Sequence, residues 1–141
     1  FVVVKQLSVF IENKSGRLVQ ITEILGKNQI DIRAVSIADT TSFGILRLIV
    51  DDPDRAKIVL REAGFTVSIT EVIAISIEDE PGGLSKALRV LSDAQISVEY
   101  MYAFLSREDK TAYVIFRVED NDEAVQALRK AGIVCLSSED I

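Results

Sequence analysis

Apolar positions along the chain switch between two periods, and the switching recurs. Residues 2–11 are rich in Val and Ile and read as a strand. Leu18, Ile21 and Leu25 follow at helical spacing on one face. Strands are predicted at 31–38 and 43–50 with a polar hairpin between them, then a helix presenting Ala56, Val59, Leu60 and Ala63, then a strand at 65–70. The series begins again with a strand at 71–78 and a helix bearing Leu84, Ala87, Leu88 and Leu91. Strands at 97–105 and 111–118, a helix with Ala124, Ala127, Leu128 and Ala131, and a strand at 133–137 complete it.

This recurrence is a duplication. A shift of 66 places Gly16 on Gly82, Leu18 on Leu84, Leu25 on Leu91, Ile30 on Ile96 and Ile32 on Val98. Further on, VDDPDRAKIVLREAGF (50–65) matches VEDNDEAVQALRKAGI (118–133) at an offset of 68. The two additional residues fall between SIADTTSFGI and AFLSREDKTAY, polar stretches where a hairpin loop tolerates insertion.

Helix ends are also marked. Ser15 is placed to cap the first helix, and Pro81 suits the opening of its counterpart. Asp52 as cap with Pro53 behind it opens the second helix, and Asp120 holds the same place in the repeat. Gly64 and Gly132 stand where a residue of positive φ ends a helix.

The order βαββαβ, read twice, predicts an α+β chain of two ferredoxin-like modules, at 1–70 and 71–141, each an antiparallel sheet with both helices on one face. Strict alternation puts Ile32 and Ala34 on one side and Val35 and Ile37 on the other, with Val98 and Tyr100 opposed to Met101 and Ala103 in the same way. Both sheet faces are then substantially apolar, so the face without helices is expected to pack on another sheet, within the chain or between chains. No flexible linker separates the copies.

Charge and inventory narrow the function. Of 141 residues, 48% are hydrophobic and 27% charged, the balance of a folded globular chain. The net charge of −6 with scattered Lys and Arg argues against nucleic acid, which needs a concentrated basic face. No apolar run approaches the ~20 residues that span a bilayer, and FVVVKQ has neither a basic region nor a cleavage site, so a cytoplasmic location is expected and no membrane partner. With no histidine and one cysteine, Ser-His and Cys-His nucleophiles, His-ligated zinc and disulfides within the chain are absent by inventory. Cys135, in an apolar strand, reads as a small core residue. Nothing in the spacing of the carboxylates indicates a general acid–base pair, a metal cluster or a cofactor, so no enzyme is expected.

The stretches IENKSGRLVQITEIL and IEDEPGGLSKALRVL, with KNQIDIRAVSI and DAQISVEYMYAF after them, resemble the ACT domain, a βαββαβ regulatory module of amino-acid metabolism. The likeness covers essentially the whole chain and implies a tandem ACT protein. By that resemblance a free amino acid binds where two modules meet, held by the strand-one-to-helix-one turn and by a polar residue at the start of strand two, often that of the neighbouring module. The turn positions are Asn13, Lys14, Ser15, Gly16 and Arg17 in the first copy and Asp79, Glu80, Pro81, Gly82 and Gly83 in the second; the strand-two positions are Asp31 and Ser97. Asn13 matches an Asn that holds ligand in several members; Asp79, Asp31 and Ser97 depart from Asn. Ile11 and Ile77 replace a polar residue of some serine-binding members, which turns the implication away from a serine-like ligand.

Physical chemistry supports such a turn as a site. A helix N-terminus presents unpaired N–H groups and a partial positive charge suited to a carboxylate. Glycine at 16, 82 and 83 would let a ligand approach, and Asn13, Asp31 and Asp79 could accept from an α-ammonium. Each feature also has a plain alternative: glycine as turn geometry, Asp31 as a solvating edge charge, Tyr100 and Tyr102 as core or interface aromatics, and residues 106–110 as a solvated hairpin tip. The expected protein is a non-catalytic amino-acid sensor, a homodimer or higher homo-oligomer that signals to a metabolic enzyme or regulator. The alternative is a ligand-independent regulatory subunit of a biosynthetic enzyme, similar to the acetolactate synthase small subunit.

Overall fold

The computed structural model describes residues 2–12, 14–39, 42–105 and 110–141. Asn13, and most of the stretch predicted as the 106–110 hairpin tip, lie outside the described residues. The chain divides into two units, Lys5–Thr70 and Phe1–Val4 with Glu71–Ile141.

The first unit holds β1 (Val3–Glu12), α1 (Arg17–Lys27), β2 (Ile32–Asp39), β3 (Phe43–Val50) and α2 (Pro53–Glu62). Its sheet is antiparallel, with β3 between β1 and β2. Leu7 and Val9 of β1 and Leu46 and Leu48 of β3 meet Ile21 and Leu25 of α1 and Ala56 and Leu60 of α2 in one buried cluster. Both helices therefore cover the same face of the sheet.

The second unit repeats the plan. β4 (Thr66–Glu78) supplies the last strand of the first unit with Thr66–Thr70 and the first strand of the second with Glu71–Glu78. It is followed by α3 (Gly83–Asp93), β5 (Val98–Leu105), β6 (Thr111–Val118), α4 (Asn121–Lys130), β7 (Val134–Leu136) and a short 3-10 turn (Ser138–Asp140). The strand path here is β7-β4-β6-β5, all antiparallel. Ile73, Ile75, Val114, Phe116 and Val118 pack on Ala87 and Leu91 of α3 and Ala124 and Leu128 of α4. The fold is α+β with two βαββαβ modules, as the periodicity predicts.

Several local expectations change. The strands predicted at 65–70 and 71–78 are one strand, β4, because TVSITEVIAISIE holds no glycine or proline to break it. Ser15 does not cap α1; Gly16 does, at φ 88°, with no side-chain hydrogen bond. Pro81 lies ahead of the Gly82 cap and outside α3. Asp52 and Asp120 cap as expected, accepting from the Arg55 and Glu123 N–H groups. Gly64 and Gly132 end their helices at φ 93° and 79°.

The side assignments of β2 and β5 also change, for one reason. Ile32 pairs with Val50 but Ala34 with Ile49, so an extra residue, Arg33, is bulged into β2. Glu99 is bulged into β5 in the same way, between Val98 and Tyr100. A bulge breaks strict alternation. Ile32 consequently packs on the helix-side core with the partners of Val35 and Ile37, away from Ala34, and Val98 packs on that core with Met101, away from Tyr100. Cys135 pairs with Ile75 and is packed against the second core; burial pushes its thiol pKa up, with a smaller opposing pull from Arg129.

Candidate ligand-binding turns

The turns before α1 and α3 have the same bonding. The Lys14 N–H donates to the Glu12 carbonyl at 2.7 Å, and the Glu80 N–H to the Glu78 carbonyl at 2.9 Å. The Arg17 N–H reaches the Lys14 carbonyl at 3.4 Å and the Gly83 N–H the Glu80 carbonyl at 3.0 Å. Gly16 and Gly82 then take φ 88° and 86°, a left-handed conformation that other residues adopt at a cost. Helix one is thus started by a backbone twist in both copies and has no side-chain cap, whereas helix two in both copies is capped by an aspartate. The first-turn N–H groups of α1 and α3 are not taken by a capping side chain, which leaves them suited to an anionic group.

The glycines differ in purpose. An added Cβ at Gly16 or Gly82 meets nothing within 4 Å, so there φ is the constraint. At Gly83 an added Cβ runs into the Glu78 carbonyl oxygen, so this glycine lets α3 approach the end of its own strand. Position 17, its counterpart, carries arginine.

Each turn borders a groove. The first, about 410 Å³, is lined by Lys14, Ser15, Arg17 and Leu18, with Ile11 and Glu12 of β1 and Ile37 and Asp39 at the end of β2. The second, about 360 Å³, includes Glu80, Gly83, Lys86, Thr111 and Ile133. Of the predicted turn residues these grooves gather Lys14, Ser15, Arg17, Glu80 and Gly83; Gly16, Asp79, Pro81 and Gly82 are in the turns without lining them.

Asp31 and Ser97 are elsewhere within their units. β1 and β2 run the same way on either side of β3, so the start of β2 lies at the end opposite the turn. The register Ile32↔Val50 against Glu12↔Phe43 puts Asp31 roughly 20 Å from the turn at ~3.3 Å per residue. There it pairs with Arg33 at 3.2 Å, its N–H donates to Asp51 Oδ1 at 2.9 Å, and its carbonyl accepts from the Asp51 N–H. Ser97 borders a cleft of about 820 Å³ whose walls include Glu71, Glu99, Glu119, Asp120 and Glu123. The sequence reading missed Ile37, Asp39 and Lys86 as groove residues. Within one unit the parallel course of strands one and two brings the end of strand two beside the turn, whereas the resemblance draws its strand-two residue, Asp31 or Ser97, from a neighbouring module.

The turns carry different charge. Lys14 pairs with Glu12 at 2.9 Å, and the hydrogen bond and charge of that ammonium hold the Glu12 carboxyl below its ordinary pKa; partial desolvation opposes this, and Arg17 adds a smaller pull. Arg17 Nη1 donates to Gln20 Oε1 at 3.0 Å. In the second copy Glu78, Asp79 and Glu80 crowd the turn, and Lys86 stands 4.0 Å from Glu80. Among the described residues no group of His, Cys, Asp and Glu is arranged to hold a metal ion, and no helix is long and apolar enough to cross a membrane.

A pair of βαββαβ modules, each starting its first helix on a left-handed glycine, defines a tandem repeat of one α+β module. The chain belongs to the ACT domain pair family, which it matches over residues 2–140. It is similar to a protein from Bacteroides thetaiotaomicron of known crystal structure, at 42% identity and a TM-score of 0.93, over 99% of this chain and 95% of that one. It is also similar to the ligand-free regulatory subunit of aspartate kinase from Thermus thermophilus, at 16% identity and a TM-score of 0.68, over 90% and 91% of the two chains. The aspartate kinase regulatory subunit from Thermus flavus has 14% identity and a TM-score of 0.63, over 91% and 92%. At 14–16% identity the kinase likeness is one of fold. No curated protein matches the chain.

Proposed function

We propose that this chain is a non-catalytic regulatory protein that binds a free amino acid at the helix-one turns of its ACT modules, self-associates, and signals to a partner in amino-acid metabolism. The observation that carries the reading is the repeated contrast in helix starts. Both α1 and α3 begin on glycine without a side-chain cap and beside a groove, while α2 and α4 are closed by aspartate. In that arrangement the α-carboxylate takes the helix N–H groups and the ammonium takes nearby acceptors, Glu12 and Asp39 in the first groove and Glu78 and Glu80 in the second. Binding alters a partner only through different affinity for two states of the protein.

Isothermal titration against the twenty amino acids at millimolar ligand, with thermal shift in parallel, is expected to find at least one that binds. Ser15→Trp and Lys86→Trp put bulk beside the first and second groove respectively, and each should remove the heat of one site. Absence of heat and of thermal shift with every amino acid would leave the ligand-independent regulatory subunit as the better reading, and a partner should then co-purify without added ligand.

A further inference from the structure

The duplication supplies its own control for surface chemistry. Among the described residues the large apolar side chains exposed in the first unit are Phe10, Leu18, Val19, Val35, Ile37, Phe43, Ile45 and Ile58; in the second unit only Val134 is. Through the offsets of 66 and 68, Phe10 corresponds to Ser76, Val19 to Ser85, Ile37 to Ala103, Phe43 to Thr111 and Ile58 to Gln126. The fold therefore tolerates small or polar residues at these five places, whereas Ile45, Leu18 and Val35 correspond to the large residues Tyr113, Leu84 and Met101.

Three of the exposed apolar side chains of the first unit are contiguous. Phe10 pairs across the strands with Ile45, and the rings of Phe10 and Phe43 lie 4.9 Å apart. All three are on the sheet face away from α1 and α2, since their neighbours Val9, Ile11 and Leu46 are in the helix-side core. They are 47%, 44% and 36% exposed for Phe10, Phe43 and Ile45, a continuous apolar patch open to solvent.

We propose that this face is the docking surface for a second copy of the chain, packed sheet to sheet about a two-fold axis through the Phe10–Ile45 row. Charge selects that occupant. Glu12 and Phe43 form the row on one side of the apolar centre, and Ser8 and Arg47 form the row on the other. A two-fold axis through the centre lays the Glu12 row of each copy over the Arg47 row of the other, twice. An isologous contact requires such self-complementarity. Glu12 already pairs with Lys14, and Arg47 has interactions within its own chain, so these contacts add to existing ones. Phe43 over the second copy's Arg47 guanidinium adds a cation–π contact.

The inference rests on the self-association in the functional reading and not on ligand binding, so sedimentation velocity over a concentration series is run without amino acid. The wild type is expected to dimerise. Phe10→Ser with Phe43→Thr, the residues that the second copy carries at these places, should weaken dimerisation about tenfold or more while leaving the melting temperature of the monomer unchanged. Arg47→Glu should weaken it, and Glu12→Arg with Arg47→Glu should restore it. A wild type that stays monomeric, a Phe10→Ser/Phe43→Thr chain that dimerises as before, or a charge swap that restores nothing would each overturn the proposal. The first of these outcomes would assign the patch to a different protein, and the second would place the dimer contact on another surface.

Discussion

At Gly82 the backbone takes φ 86° with open space where a side chain would stand, and at Gly83, one residue on, a side chain would strike the Glu78 carbonyl oxygen. The sequence shows only two adjacent glycines in a turn. A reading in which both are bare for the sake of a ligand treats them alike, but the structure makes one a conformational requirement and the other a packing requirement. Gly83→Ala should accordingly destabilise the second unit by about 1–3 kcal/mol through overpacking against its own strand. Denaturant unfolding checks this, and a neutral Gly83→Ala would mean that α3 can move off the end of β4. Position 17 takes arginine at the equivalent place, so the first turn accommodates a Cβ, a difference that GRL against GGL already shows. Gln6 shows the same limit: alternation puts it on the side away from the helices, yet it is fully buried, its amide donating to Ser8 Oγ at 3.3 Å.

Helices were the most legible elements, because cap chemistry is local. Asp52 and Asp120 precede their helices by the spacing at which a carboxylate reaches the N3 amide, and the structure shows both bonds, at 3.2 and 3.0 Å. Asp120→Ala should cost about 1 kcal/mol. Ser15→Ala should be nearly neutral, because Gly16 and not Ser15 is the cap; equal losses in the two variants on chemical denaturation would contradict the assignment. Strands were legible in extent and less so in orientation. One inserted residue reverses every side assignment beyond it, and no residue type at Arg33 or Glu99 announces an insertion. That the insertion recurs at the same place in both copies shows it to be part of the module.

Across the whole molecule, each unit is held by a core that joins both of its helices to one sheet face. Leu91 is 1% exposed in that of the second unit, between β4, β6 and α4. Leu91→Ala should destabilise by about 2–5 kcal/mol, the range for a leucine deleted from a well-packed core, and a thermal melt little changed from wild type would show that the site collapses freely. The candidate site was legible in part. Lys14, Ser15, Arg17, Glu80 and Gly83 border grooves as the repeated turn suggests, whereas Asp31 and Ser97 are at the far ends of their own units. The sequence alone determined the duplication, the order βαββαβ, the αL glycines at helix ends and the aspartate caps, because each depends on neighbours within a few residues. Only the tertiary structure decided which end of strand two lies beside the turn of its own unit, where the bulges turn side chains over, and that the first unit exposes Phe10, Phe43 and Ile45 as one patch. Those outcomes depend on pairing register and on contacts between segments distant along the chain, which no local pattern records.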